Sequence, residues 1–182
     1  MEIIEFNLDF VAFMPKEDIL VDTGVILGLL NPYDSWHHTV KTFFDIYVLD
    51  NNDIALYTHS GLVNEITHLA DKPIERYGKV IDSQVTEKEI RASIDNVNSK
   101  LYDFIDNDVF SLLECNKRVV LNSILLSREY GSIDALTVSL VNEYGISLMT
   151  VDNRLVERID KEKDRLKNIV RIYYSSSKYR TY

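Results

Sequence analysis

Cysteine, proline and glycine are scarce in this chain, at one, three and six residues of 182. A lone Cys115 cannot close an internal disulfide or build a thiolate metal cluster, and its setting in SLLECN predicts a small buried or half-buried residue. So little Gly and Pro, without period, excludes collagen-like and low-complexity chains. No run approaches the ~18 consecutive apolar residues of a membrane helix. No basic-then-apolar leader opens the sequence either, so a soluble cytoplasmic protein without a membrane partner is expected. What is present, 46% hydrophobic and 27% charged residues, excludes disorder as the main state. The length suits one compact domain burying roughly 70% of its unfolded-chain surface.

Positive charge is also short. A net charge of -9 and a pI of about 4.9 exclude coating of nucleic acid by the whole surface. Residues 1–60 hold two Lys/Arg against ten Asp/Glu, whereas residues 154–182 hold nine against four. The acidic front and basic tail either attract each other within one fold, or the tail holds a polyanion.

Periodicity predicts a strand at 19–21, a turn at Asp22-Thr23-Gly24, and an apolar helix over 25–30 ended by Asn31-Pro32. A second helix from near Ser35, a strand at 54–58 and a helix capped by Ser60 follow, the last with Leu62, Val63, Ile66 and Leu69 on one face. Thr86-Glu87-Lys88-Glu89 is a capping-box pattern opening a long helix whose stripe is Ile90, Ile94, Val97, Leu101, Phe104 and Ile105. A strand at 109–113 and a helix over 117–130 come next. Ser132 then caps a helix with Leu136, Leu140, Val141 and Tyr144 towards a core, ended by Gly145. A strand at 146–151, a charged helix and a strand at 169–174 complete the chain. Short strands alternating with helices predict a single α/β domain, 1–182, with a parallel sheet between helical layers. Residues 72–108 are a helical elaboration of it and residues 1–18 an N-terminal arm or edge strand.

In a parallel sheet, sites form at the carboxyl ends of the strands, where Asp22 and Asp152 fall. Glu65 in LVNEITHL and Asp134 in SIDALTVSL are carboxylates in apolar helical context, costly to desolvate unless bound to something positive. Each alone reads as a turn, capping or exposed helix acid. Taken together, with few Lys or Arg near them in sequence, they read as a ligand set.

Asp22 in ILVDTGVILGLLNPYDSWHH, Glu65 in THSGLVNEITHL, Asp134 in GSIDALTVSL and Asp152 in ISLMTVDNRL resemble, in order and context, the four acidic motifs of PIN-domain nucleases. The nearest in kind are VapC-type toxin ribonucleases, over about residues 19–174. Gly24 stands where Asn or Ser is frequent in that family, and the interval from Glu65 to Asp134 is longer than in its compact members. The resemblance implies a three-layer α/β/α PIN-like fold, a short parallel sheet with an extended helical segment, and Mg²⁺ or Mn²⁺ held by carboxylates. Hard divalent cations take oxygen ligands, which agrees with an all-carboxylate set. Asp22 and Asp134 are then principal ligands, Glu65 and Asp152 complete the site directly or through water, and the Thr23 hydroxyl either supports a ligand or contacts phosphate. The implied activity is metal-dependent endoribonuclease, a toxin with an antitoxin partner, forming a homodimer through the middle helices.

RNA contacts are expected from Arg154, Arg171, Lys178 and Arg180, with Tyr173, Tyr174, Tyr179 and Tyr182 as a stacking surface, or else this segment is a final strand and a frayed end. Lys72, Arg76 and Lys79 are the alternative source of phosphate contacts. His37-His38 reads as a solvated pair and His68 as helix packing. The rival function is a PIN-like RNA- or protein-binding module with little catalysis. A response-regulator pocket fits poorly, because Ser175-Ser176-Ser177-Lys178 follows the last strand where a lysine is expected.

Overall fold

The computed structural model describes residues 1–182. Six strands, β1 (Glu2–Glu5), β2 (Glu17–Val21), β3 (Ile54–Thr58), β4 (Ser111–Leu112), β5 (Ser147–Thr150) and β6 (Arg171–Tyr174), form one sheet in the order β1-β6-β5-β2-β3-β4. Every pairing is parallel. Parallel neighbours cannot be joined by hairpins, so the chain must cross a face between strands, and helices make most of those crossings. They are α1 (Thr23–Leu30), α2 (His37–Phe43), α3 (Ser60–Leu69), α4 (Lys72–Val80), α5 (Glu87–Asp106), α6 (Lys117–Tyr130), α7 (Ser132–Tyr144) and α8 (Asn153–Lys161).

Alternation along the strands divides the core. Ile19 and Val21 of β2, with Met149 and Tyr173, join the α1, α2 and α5 side of the sheet, whereas Leu20, Leu148 and Ile172 join α6, α7 and α8. The result is three layers, α/β/α.

The starts of α3 and α7 differ from the sequence reading by one residue, and that of α1 by two. Asp22 is no turn residue but the N-cap of α1, accepting from Thr23 N. His59, not Ser60, caps α3, and Gly131 precedes α7 without a side-chain cap, so Ser132 is its first helical residue. Tyr144 lies exposed and donates to Glu114 O, so it does not face the core. Cys115, in the link between β4 and α6, is exposed and not buried or half-buried. The α5 stripe is consumed internally: Val97 and Leu101 are buried, and Ile94, Phe104 and Ile105 pack on the same cluster. Acidic front and basic tail do meet, through Arg171 to Glu2 at 2.7 Å and Lys178 to Glu5 at 4.0 Å. No helix is long and apolar enough to cross a membrane.

Candidate functional site

Because all strands run the same way, their carboxyl ends share one edge of the sheet. There an open cavity of about 970 Å³ is lined by Asp22, Thr23, Glu65, Asp134 and Asp152, with Arg76, Arg154 and Arg180 among its other walls. Asp22 stands where β2 becomes α1, and Asp152 where the chain leaving β5 becomes α8. Glu65 lies in the second turn of α3, and Asp134 in the first turn of α7. Gly24 has a steric reason: a Cβ there would come within 2.7 Å of Val151 Cγ2, the turn that carries Asp152.

Hydroxyls and amides hold the acids in place. Asp22 accepts from Thr23 N at 2.8 Å and from Thr150 Oγ1 at 2.7 Å. Thr23 Oγ1 donates to Glu65 Oε2 at 2.5 Å. Asp152 Oδ1 caps α8, accepting from Arg154 N at 2.8 Å and Leu155 N at 3.2 Å. The one ion pair among the four acids is Arg158 to Asp134, at 3.8 Å. These bonds use a single oxygen each of Glu65, Asp134 and Asp152.

Burial pushes the Asp22 carboxyl up to about 7; hydrogen bonds from Thr150 and Thr23 oppose the rise, and the charges of Asp134 and Glu65 add to it. Asp134 is raised too, by burial first and then by Asp152 and Glu65, against Arg158. Asp134 thus feels the field of three other site acids. In this arrangement no three His, Cys, Asp or Glu side chains stand together closely enough to ligate one ion. The donor set is nevertheless all oxygen, with Asp22 buried, Glu65 and Asp134 half-buried and Asp152 exposed, and Arg158 is its one ion-pair partner. That chemistry fits a hard divalent cation and no soft one.

Of the expected RNA contacts, Arg154 and Arg180 line the cavity and Arg171 and Lys178 do not. Arg171 begins β6, at the opposite edge of the sheet, where Glu2 and Glu17 hold it. Lys178 lies over the Tyr179 ring, 4.9 Å from its centroid, near Glu5. Tyr173 is fully buried with its hydroxyl on Glu17 and offers no stacking surface. Arg76 lines the cavity, while Lys72 is occupied by Asp71 and Glu75.

Two contributors escape sequence reading. Thr150, an ordinary strand residue by pattern, donates to Asp22 and accepts from Asp152 N, linking the two strand-end acids. His59 is fully buried between α3 and α7; its Nδ1 accepts from Gly61 N, which leaves Nε2 to carry the proton and donate to Thr137 Oγ1 at 3.0 Å. Burial depresses its pKa to about 4. His59 therefore ties together the helices bearing Glu65 and Asp134, yet nothing in THSGL marks it.

Two solved structures share this architecture. FitAcB from Neisseria gonorrhoeae superimposes with a TM-score of 0.51 at 15% identity, covering 85% of this chain and 96% of that one. FitAB bound to the IR36 DNA fragment does so with a TM-score of 0.51 at 15% identity, covering 86% of this chain and 94% of that one. At that identity the likeness carries the fold, a PIN-like three-layer α/β/α arrangement. No protein-family model matches the chain, and no curated protein matches it.

Proposed function

We propose that this protein is a Mg²⁺- or Mn²⁺-dependent endoribonuclease, the toxin component of a toxin–antitoxin pair. One observation carries the reading: four carboxylates from four separate elements line one cavity at the carboxyl edge of the sheet, and Asp22 among them is raised to about 7. Clustered, partly desolvated acids of one sign are held at a cost in the empty protein, and a cation relieves it. When bound, the metal supplies an acidified water and positive charge against the scissile phosphate.

The chain's own groups do the rest. Asp22, Asp134, Glu65 and Asp152 hold the cation, Thr150 orients Asp22, and Thr23 orients Glu65. Arg154 and Arg180 receive the flanking phosphates. The likeness to FitAB supports an antitoxin partner. A homodimer, with α5 packed away, would use α6, which exposes Val120, Leu121, Ile124 and Leu125.

The Arg158 to Asp134 contact favours a second reading, a binding module in which an internal cation replaces the metal. Single-stranded RNA is incubated with wild type and with the Asp22→Asn, Asp134→Asn double variant, in Mg²⁺, Mn²⁺ and EDTA. Metal-dependent cleavage and a metal-dependent rise in Tm, both lost in the double variant, support the nuclease. RNA binding without cleavage in any metal supports the module.

A further inference from the structure

Beside the acidic cavity lies a second one, of about 430 Å³, that the nuclease reading leaves unused. Its walls include Tyr33, Tyr77, Tyr182, His37 and His38, together with Asp34, which also lines the acidic cavity. The rings of Tyr33 and Tyr77 are 5.5 Å apart and those of Tyr77 and Tyr182 are 6.4 Å apart. Arg76 and Arg180, both on the acidic-cavity side, directly adjoin Tyr77 and Thr181 in the chain. The tail that brings Tyr182 here is pinned to the link after α1: Arg180 Nε donates to Ser35 Oγ at 2.5 Å and Thr181 N to Ser35 O at 2.8 Å.

From this juxtaposition we infer a nucleobase subsite: the base next to the scissile phosphate leaves the single strand and packs among Tyr33, Tyr77 and Tyr182, while Arg76 and Arg180 hold the phosphates on either side. The inference rests on the nuclease reading and names its substrate class, unpaired RNA. Three features favour a base over a phosphate in the tyrosine cavity. Aromatic faces accept any base by stacking. The Asp34 carboxylate repels phosphate there, and the guanidinium pair at the rim attracts it. The volume lies within the ~300–1,000 Å³ usual for small-molecule sites. His37 is fixed by donating Nδ1–H to Gly28 O at 2.7 Å, so its Nε2 can accept from a base edge.

The test uses the full chain carrying Asp22→Asn and a fluorescein-labelled single-stranded RNA dodecamer, a matched duplex, and the dodecamer with abasic residues. Tyr77→Ala and, separately, Tyr182→Ala at an exposed position are expected to weaken single-strand binding about tenfold. Tyr77→Phe is expected to keep it, and duplex affinity is expected to stay unchanged. The slope of log affinity against log salt should not move for the tyrosine variants, and should fall by about 0.7 for Arg76→Ala. Unchanged single-strand affinity in both alanine variants, or equal losses on normal and abasic strands, overturns the subsite. If the unsubstituted protein cleaves RNA with metal while those variants bind normally, only the subsite fails. If it neither binds nor cleaves, the nuclease reading fails and the subsite with it.

Discussion

Strand β2 carries a buried carboxylate at each end, and the two ends differ in what surrounds them. At the amino end, Glu17 is 4% exposed and accepts from Met14 N, Ser147 Oγ and Tyr173 OH, with Arg171 at 3.9 Å. At the carboxyl end, Asp22 is 8% exposed and accepts only from Thr23 N and Thr150 Oγ1, while its charged neighbours are other acids. A buried acid whose lone pairs are filled from several strands ties those strands together. One surrounded by like charge stores unfavourable energy that an external cation can release.

The comparison breaks most visibly in activity. Asp22→Asn with Asp134→Asn is expected to abolish metal-dependent RNA cleavage, whereas a Glu17 variant, once corrected for its folded fraction, cleaves like wild type. Equal loss at both ends, read in one gel-based time course, would remove the distinction.

Next comes pH. A folded pKa of about 7 against the ordinary value of 3.8 means that folded Asp22 holds a proton the unfolded chain has released, so stability falls by about 4 kcal/mol as pH rises from about 4 to 7. His59 works the other way. Its folded pKa of about 4 lies below 6.5, so its contribution is complete above pH 6.5 and is lost, by about 3 kcal/mol, on acidification to pH 4. In metal-free wild type the two opposing contributions largely offset each other between pH 4 and 6.5, and the raised Asp134 carboxyl tilts the profile towards lower stability as pH rises. Asp22→Asn should gain stability steeply across that window, and His59→Asn should lose it, in urea titrations at each pH.

Removing Glu17 should cost stability without such a profile at the site. Glu17→Ala strands two hydroxyls, an amide and Arg171, and is expected to lower the free energy of unfolding by ~3 kcal/mol at neutral pH. A loss under ~1 kcal/mol would mean water fills the role. The smallest effect belongs to Thr150→Val. It removes the hydrogen bond to Asp22 and the one accepted from Asp152 N, and should cost ~1–2 kcal/mol in metal-free protein and shift the metal dependence of Tm upward in concentration.

Much of the fold was legible in the chain because its cues are local. Short apolar runs mark β2, β3 and β5, Gly145 in the left-handed region ends α7, and the Thr86 capping box opens α5. Those cues act within a few residues, as capping and periodicity do. One-residue errors arose where two residues compete for a cap. His59 displaced Ser60 because its ring, buried against Thr137, reaches back to Gly61 N.

Alternation of strands and helices by itself determined a parallel sheet with helices on both faces, and with it the edge on which Asp22 and Asp152 fall. The tertiary structure alone decided which charges meet them. Arg171 and Arg180 are nine residues apart in one basic tail. Yet Arg171 stands at the amino edge, held by Glu2 and Glu17, and Arg180 lines the acidic cavity. A strand carries the chain across the sheet between them, and electrostatic partnership depends on distance through space, which a strand and a returning tail set independently of sequence separation.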